Sequence, residues 1–169
     1  LDNLEEHVGA LQARGYKLIT LRDFYDLLIT QEERDVRLDP KSVVVAISDV
    51  SPQNIGEVLE VLRLSGVSAT LFLQSQYLGS GGIDQKTVLT LLANGHDMQS
   101  HGHTGDDLRS LTNAQVDLEL QQSKQLISQY TRKPVFAIAY PLGGVNDRVA
   151  IKSGEAGYLL GLGLAPDST

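Results

Sequence analysis

From residue 43 onward, short apolar runs alternate with amphipathic stretches. A run such as "VVVAI" is typical of a buried strand, whereas apolar residues at the spacing of Ile55, Val58 and Leu62 are typical of one face of a helix. Strands separated by helices favour a parallel sheet, open or rolled into a barrel. We therefore predict an α/β protein with strands at about 43–48, 67–73, 96–101, 135–140 and 158–164.

The residues before this pattern are expected to be helical. Leu4 and Val8 lie at helical spacing, and Thr20 can cap a second helix after a short apolar segment. We predict a single domain over 1–169, divided into a helical lead-in (1–40) and a βα barrel part (41–169) whose C-terminal end is expected to be truncated.

The composition argues against two kinds of partner. Fourteen basic and twenty-one acidic residues give a net charge of −7, and the basic residues are scattered, so no nucleic-acid partner is expected. No apolar run approaches the roughly 20 residues that span a bilayer, so no transmembrane segment is expected. The absence of cysteine excludes disulfides and thiolate metal sites.

Polar stretches follow three of the predicted strands: "SD" at 48–49, "SHGHTGDD" at 100–107 and "YPLGG" at 140–144. The carboxyl ends of parallel strands share one edge of the sheet, which is where α/β proteins bind ligands. We therefore expect Asp49 and His101 to face one pocket. Carboxylate and imidazole groups suit zinc and similar divalent ions.

The remaining polar residues each allow a functional and a structural interpretation. His103, Asp106 and Asp107 could complete a metal's coordination shell, or the loop that carries them could be a solvated turn. The "YPLGG" segment could supply N–H groups to an oxyanion, or be an ordinary Pro-Gly turn. His96 is better interpreted as a hydrogen-bonded structural residue, and His7 as a surface residue.

The order of these segments resembles the polysaccharide deacetylase family of the NodB-homology type. The strand followed by "SD" is similar to the family's "TFDDG" motif, and "GVSATLFL" to its "GVKATFFV" strand. The stretch "NGHDMQSHGHTGDDLRSL" resembles "GHEIGSHTxTHPDLTKL", and "RKPVFAIAYPLGGVN" with the following "GEAGY" resembles "GKPVxxFRYPYGxYN" and "AKEAGY". Four separated motifs thus agree in order and spacing.

The resemblance implies an incomplete (β/α) barrel that hydrolyses acetyl groups on polysaccharides with an Asp-His-His metal site and an aspartate base. By position, Asp49 corresponds to the metal-binding aspartate and His101 to the first histidine. Ser48 stands where the family has its base, and a serine cannot accept a proton with the driving force of a carboxylate. Gly105 stands at the second histidine, so a histidine placed there is expected to raise zinc affinity.

The oxyanion turn implied by the resemblance is retained in part. Pro141 and Gly143 match it, whereas Leu142 replaces its tyrosine. Ala139 stands where many members have an arginine that orients the base. The family's final histidine motif is expected beyond Thr169.

These substitutions predict a polysaccharide deacetylase-like domain that acts on or binds N-acetylated sugars of the cell envelope or an exopolysaccharide, with impaired or absent catalysis and weak or absent zinc. The alternative is an active metal-dependent deacetylase with a rearranged site that uses His103, Asp106 and Asp107. A polysaccharide or oligosaccharide and a protein are both candidate partners, although the lack of tryptophan and the 5% aromatic content disfavour sugar stacking. The resemblance implies an extracellular or cell-envelope (periplasmic) location.

Overall fold

Five parallel strands form a half-barrel flanked by helices in the computed structural model, which describes residues 3–34 and 37–164. The strands lie side by side in chain order, β3-β4-β5-β6-β7, and a separate parallel pair, β1-β2, precedes them. The predicted fold class is therefore confirmed. The helices are α1 Leu4–Ala13, α2 Leu21–Arg34, α3 Ile55–Ser65, α4 Gln85–Ala93, α5 Asn113–Thr131 and α6 Asp147–Glu155, and the strands are β1 Lys17–Ile19, β2 Ser42–Val44, β3 Ala46–Val50, β4 Thr70–Leu73, β5 Asp97–Ser100, β6 Ala137–Ala139 and β7 Leu160–Leu162.

The first predicted strand, 43–48, is wrong as a single element. Its residues are divided between β2, which pairs with β1, and β3, which pairs with β4. The division occurs at Val45, whose N–H donates to Ile19 O and whose carbonyl accepts from Thr70 N. One apolar run thus contributes a strand to each of two sheets. Its hydrophobicity alone does not indicate this division.

The outer face of the half-barrel packs against the helices. Leu71 and Leu73 of β4, Met98 of β5 and Ile138 of β6 are fully buried in this layer. They alternate with residues that point to the inner face, as a two-residue period requires. Helices α3 to α6 cover the outer residues with Val58, Leu62, Val88, Leu91, Val116, Leu120, Ile127 and Val149.

The inner face is covered by α2 from the N-terminal lead-in. Leu21 and Phe24 pack beside Phe72 and Phe136, and Tyr25 stacks on the Phe136 ring at 4.6 Å between centroids. The N-terminus of this helix is hydrogen-bonded to the sheet, because the Leu21 N–H donates to the buried Thr70 Oγ1 at 2.8 Å. The predicted cap at Thr20 is also present, since its Oγ1 accepts from Asp23 N at 3.1 Å.

A buried ion pair fixes α2 to the inner face. Arg22 Nε donates to Asp97 Oδ1 at 2.8 Å, and the other Asp97 oxygen accepts from Gln99 Nε2 at 2.9 Å. Gln99 Oε1 in turn accepts the Phe136 and Ala137 N–H groups. The polar side chains on this face are thus hydrogen-bonded to one another and to β6, so they can be buried without leaving an unpaired group.

His96 is the structural histidine that its position suggested. It is buried, and its Nδ1 accepts the Ala69 N–H at 3.2 Å, so it joins the start of β5 to the start of β4. An Nδ1 that accepts a hydrogen bond carries no proton. His7 is exposed on α1, also as predicted.

The burial of His96 is expected to make the protein less stable in mild acid. Burial lowers the pKa of His96 below its ordinary value of 6.5, so the unfolded chain binds this proton more readily than the native one. Above pH 6.5 the imidazole is neutral in both states and costs no stability. As the pH falls from 6.5 toward the lower native pKa, the free energy of unfolding decreases by up to about 1.4 kcal/mol per pH unit. Urea unfolding between pH 7.5 and 5.5 should show a smaller pH dependence for His96→Asn, whose Oδ1 can accept from Ala69 but does not titrate. Identical slopes for the two proteins would contradict this expectation.

Candidate functional site

A bulge in β3 places Asp49 on the inner face. Ala46 and Ser48 point inward, so strict alternation would turn Asp49 outward. The register shifts between Ile47 and Val50, and Asp49 adopts a left-handed φ of 56°, as an extra residue in a bulged strand can. The structure therefore brings both residues of the "SD" pair to the same side.

The chain after the bulge is held by Asn54. Its Nδ2 donates to Asp49 O at 2.9 Å, and its Oδ1 accepts from Ser51 N at 2.8 Å. These two bonds stabilise the left-handed turn that an aspartate adopts less readily than a glycine.

His101 meets Asp49 at the end of β5. It lies two residues beyond Gln99, so its ring also points inward, and its side chain is only 6% exposed. Its Nδ1 donates to Ala139 O at 2.9 Å, which turns Nε2 toward Asp49 Oδ1, 3.0 Å away. The prediction that Asp49 and His101 share a pocket is confirmed by this contact, whereas their role as metal ligands stays a prediction.

These residues border a pocket of about 460 Å³ at the carboxyl ends of the strands. The polar side-chain groups in its lining are those of Ser48, Asp49 and His101 and the hydroxyl of Tyr140. The rest of the wall is largely apolar. It consists of Ala46, Phe72, Ala139, Tyr140, Leu142, Gly143, Leu162, Gly163 and Leu164.

The turn after β6 forms one wall in a strained conformation. Pro141 is buried beneath it, Gly143 N donates to Tyr140 O at 2.9 Å, and Leu142 has a φ of 55° with its side chain projecting into solvent. A left-handed conformation costs a bulky residue about 1–2 kcal/mol. Of the three non-glycine residues with positive φ in the described ranges, Asp49 and Leu142 border this pocket, and the third, Arg132, ends a helix.

The other candidate ligands form contacts outside this pocket. His103 Nδ1 is 2.8 Å from Ser75 Oγ, and Asp106 Oδ2 is 2.9 Å from Thr104 Oγ1. The Arg109 guanidinium, 2.7 Å from Asp107, lowers the pKa of that carboxyl, which makes Asp107 a weaker base. The structure does not bring His103, Asp106 or Asp107 to the Asp49–His101 pair.

Glu119 determines the path of this loop, and sequence reasoning missed it. This buried residue of α5 accepts from His103 N at 2.7 Å, from Thr104 N at 3.0 Å and from Thr104 Oγ1 at 2.8 Å. A signal was present, because Glu119 lies three residues after Val116 and eight before Ile127, the spacing of apolar residues on one helix face. A carboxylate on the buried face of a helix needs partners, and here the loop supplies them.

The place that the resemblance gives to a second histidine is filled by another side chain. Gly105 has a φ of 85°, and a Cβ there would overlap the Gln74 carboxamide, with Oε1 only 2.9 Å away. Gln76 Nε2 holds that carboxamide by donating to Gln74 Oε1 at 2.8 Å, and it also donates to Thr104 O at 2.8 Å. The expectation that a histidine at 105 would by itself raise zinc affinity is therefore revised.

The residues at the site fit a complete metal centre poorly. Asp49 and His101 offer suitable donor atoms, and an Nδ1–H bonded to a carbonyl is the usual support of a ligating Nε2. A catalytic zinc site needs three protein ligands beside its water. Within residues 3–34 and 37–164, no cluster of three or more His, Cys, Asp or Glu side chains could hold a metal ion.

A half-barrel of parallel strands with an aspartate–histidine pair at its carboxyl edge is the arrangement that the resemblance to polysaccharide deacetylases implies. The sequence profile described as "Polysaccharide deacetylase" matches residues 35–161. The chain belongs to this family.

Comparison with individual proteins agrees with this assignment. YxkH of Bacillus subtilis (strain 168), provisionally named a polysaccharide deacetylase, is 24% identical over 163 residues, which cover 96% of this chain and 57% of YxkH. The crystal structure of BC0361, a polysaccharide deacetylase from Bacillus cereus, superposes with a TM-score of 0.77 at 26% identity and covers 95% of this chain and 49% of BC0361. The chain thus spans about half the length of these relatives.

A third match has the fold and is described as inactive. BA3943 of Bacillus anthracis, a CE4 family pseudoenzyme, superposes with a TM-score of 0.59 at 18% identity and covers 70% of this chain and 42% of BA3943. A mutant of the same protein is described as having restored enzymatic activity.

Proposed function

We propose that this polysaccharide deacetylase-like domain binds N-acetylated sugars of the cell envelope or an exopolysaccharide without hydrolysing them. The observation that carries the proposal is a formed pocket in which Asp49 and His101 remain paired while Ser48 and Gly105 stand at the positions of the base and the third ligand. Such a ligand implies an extracellular or cell-envelope location, which is part of the proposal.

Metal binding and general-base catalysis each lack a side chain that they require. Bound metal in this family would polarise the acetyl carbonyl and activate water, but the residue at the third ligand position is Gly105, and the Gln74 carboxamide lies where its Cβ would be. The Ser48 hydroxyl is too weak a base to take a proton from water near neutral pH. Asp107, the alternative base, is engaged with Arg109 and its pKa is lowered.

Binding is supported by what the pocket retains. Backbone strain at Asp49 and Leu142 persists only where the surrounding structure enforces it, and such strain is concentrated at functional sites. The Asp49 side chain is 74% exposed, so its carboxylate can accept hydrogen bonds from sugar hydroxyls or amides. BA3943 shows that this fold also occurs in a protein without catalytic activity.

Asp49→Asn is expected to weaken binding of chitotetraose about ten-fold, because a charge-assisted hydrogen bond becomes a neutral one. Isothermal titration calorimetry measures the affinity, and an acetate assay on the same samples should detect no release. The matched control is Asp117→Asn on α5, a carboxylate that pairs with Lys152 outside the pocket.

Two results would reject the proposed function. If no saccharide binds, the alternative is that this surface binds a protein partner. Acetate release that a chelator abolishes and zinc restores would identify the chain as an active deacetylase with a rearranged site.

A further inference from the structure

We propose that the pocket accepts an N-acyl sugar whose acyl chain is longer than acetyl, with the sugar at Asp49 and the chain along the apolar wall. This inference rests on the proposed function, because it concerns the ligand of the same pocket. It is argued from the pocket lining, in which Ser48, Asp49 and His101 lie together and most of the other residues are apolar.

The apolar side consists of inner-face residues and a rim. Phe72 and Ala139 form the floor, and Leu142, Leu162 and Leu164 surround the mouth. Ala139 and Leu142 stand where the sequence resemblance gives an arginine and a tyrosine. Polar sugar hydroxyls placed against this wall would lose water without gaining partners, whereas an acyl chain would not.

The rim is held in place by backbone hydrogen bonds. Tyr140 N donates to Leu162 O at 2.9 Å, and Leu164 N donates to Gly143 O at 3.1 Å. The Leu164 side chain lies directly against Gly143, where a Cβ would approach its Cγ to 2.5 Å. The end of β7 and the turn after β6 therefore form one continuous surface.

Large apolar side chains at this surface are exposed to water. Leu142 is 75% exposed, Leu164 69% and Leu162 37%. All three line the same pocket of about 460 Å³, a volume within the range of small-molecule sites. A contiguous apolar surface beside a few convergent polar groups is typical of a ligand site.

The polar side limits what the ligand can be. Ser48 and Asp49 are adjacent in β3 and His101 contacts Asp49, so these residues lie together, and both His101 ring nitrogens already have partners. The free acceptor capacity is therefore mainly that of the exposed Asp49 carboxylate, which suits a donor such as a hydroxyl or an amide N–H. An amphipathic ligand that places a donor here and an alkyl chain across the leucines fits both sides.

The test compares N-acetyl-, N-butanoyl- and N-hexanoylglucosamine by isothermal titration calorimetry. Each fully buried methylene adds about four-fold in affinity, so four methylenes in a pocket open to water are expected to add at least about ten-fold in total. Leu162→Thr should abolish most of this gain, because its side chain lines the pocket. Leu159→Thr is the matched control, since Leu159 is exposed next to β7 but lines a different cavity.

The possible results separate this inference from the proposed function. Equal affinities for the three sugars would overturn the inference and leave saccharide binding intact, whereas no binding of any sugar would overturn both. Hexanamide that binds as tightly as N-hexanoylglucosamine would also overturn it, since the sugar would then contribute nothing. A gain with chain length that is lost in Leu162→Thr and kept in Leu159→Thr supports it.

Discussion

Gly105→His alone is expected to lower the free energy of unfolding by about 2 kcal/mol and to leave zinc affinity unchanged. The left-handed φ of 85° disfavours a side chain, although histidine tolerates it better than most residues, and the Gln74 carboxamide occupies the space of the new Cβ. The added imidazole must therefore displace Gln74 or turn away from the Asp49–His101 pair.

Shortening Gln74 is expected to reverse this result. The double variant Gly105→His/Gln74→Ala frees that space, so a third ligand can approach the pair, and zinc affinity should rise at least about ten-fold. Zinc titration calorimetry and urea unfolding measure the two effects, with Gln74→Ala as the control. Tight zinc binding by Gly105→His alone would show that Gln74 does not obstruct the position.

Ser48→Asp is expected to give no hydrolysis by itself, and a gain of about 10²–10⁴-fold in a background that binds zinc. A general base contributes that factor only when there is activated water to deprotonate, so the two deficits are not independent. The comparison is between Gly105→His/Gln74→Ala and the same variant with Ser48→Asp.

The substrate for this test is 4-nitrophenyl acetate with zinc, because its leaving group departs without help from a general acid. Ser80→Asp, in an exposed loop, controls for the added charge. In the Gly105→His/Gln74→Ala background, hydrolysis by the Ser48→Asp variant that is no faster than by the Ser80→Asp variant would contradict the assignment of Ser48 as a missing base.

The sequence predicted the regular part of the fold well. Strands β4, β6 and β7 are short apolar runs beside amphipathic helices, a pattern that burial on the outer face of the sheet imposes, whereas β5 is a more polar strand with the sequence DMQS. The meeting of Asp49 and His101 was predictable for a related reason, since parallel strands end at one edge. The bulge that turns Asp49 inward was not, because a register shift leaves no mark in the hydrophobic pattern.

The errors concern contacts between residues distant in the chain. Gln74 and Gly105 lie on different loops, so no local pattern reveals that one fills the space of the other. The loop of His103 was ambiguous for the same reason, because Glu119 determines its path from another helix. Val45 was assigned to one strand because its neighbours are equally apolar, although its backbone bonds go to two different sheets.

The packing of α2 inside the half-barrel bears on where the domain begins. The family profile starts at residue 35, after this helix, yet Leu21 and Arg22 cover the inner face from which the pocket floor is built. A chain cut at that boundary would expose Phe72 and Phe136 and leave the buried Asp97 charge without its partner. The profile match thus omits a helix that packs against the pocket floor, whereas the match to YxkH covers 96% of this chain and so includes that helix.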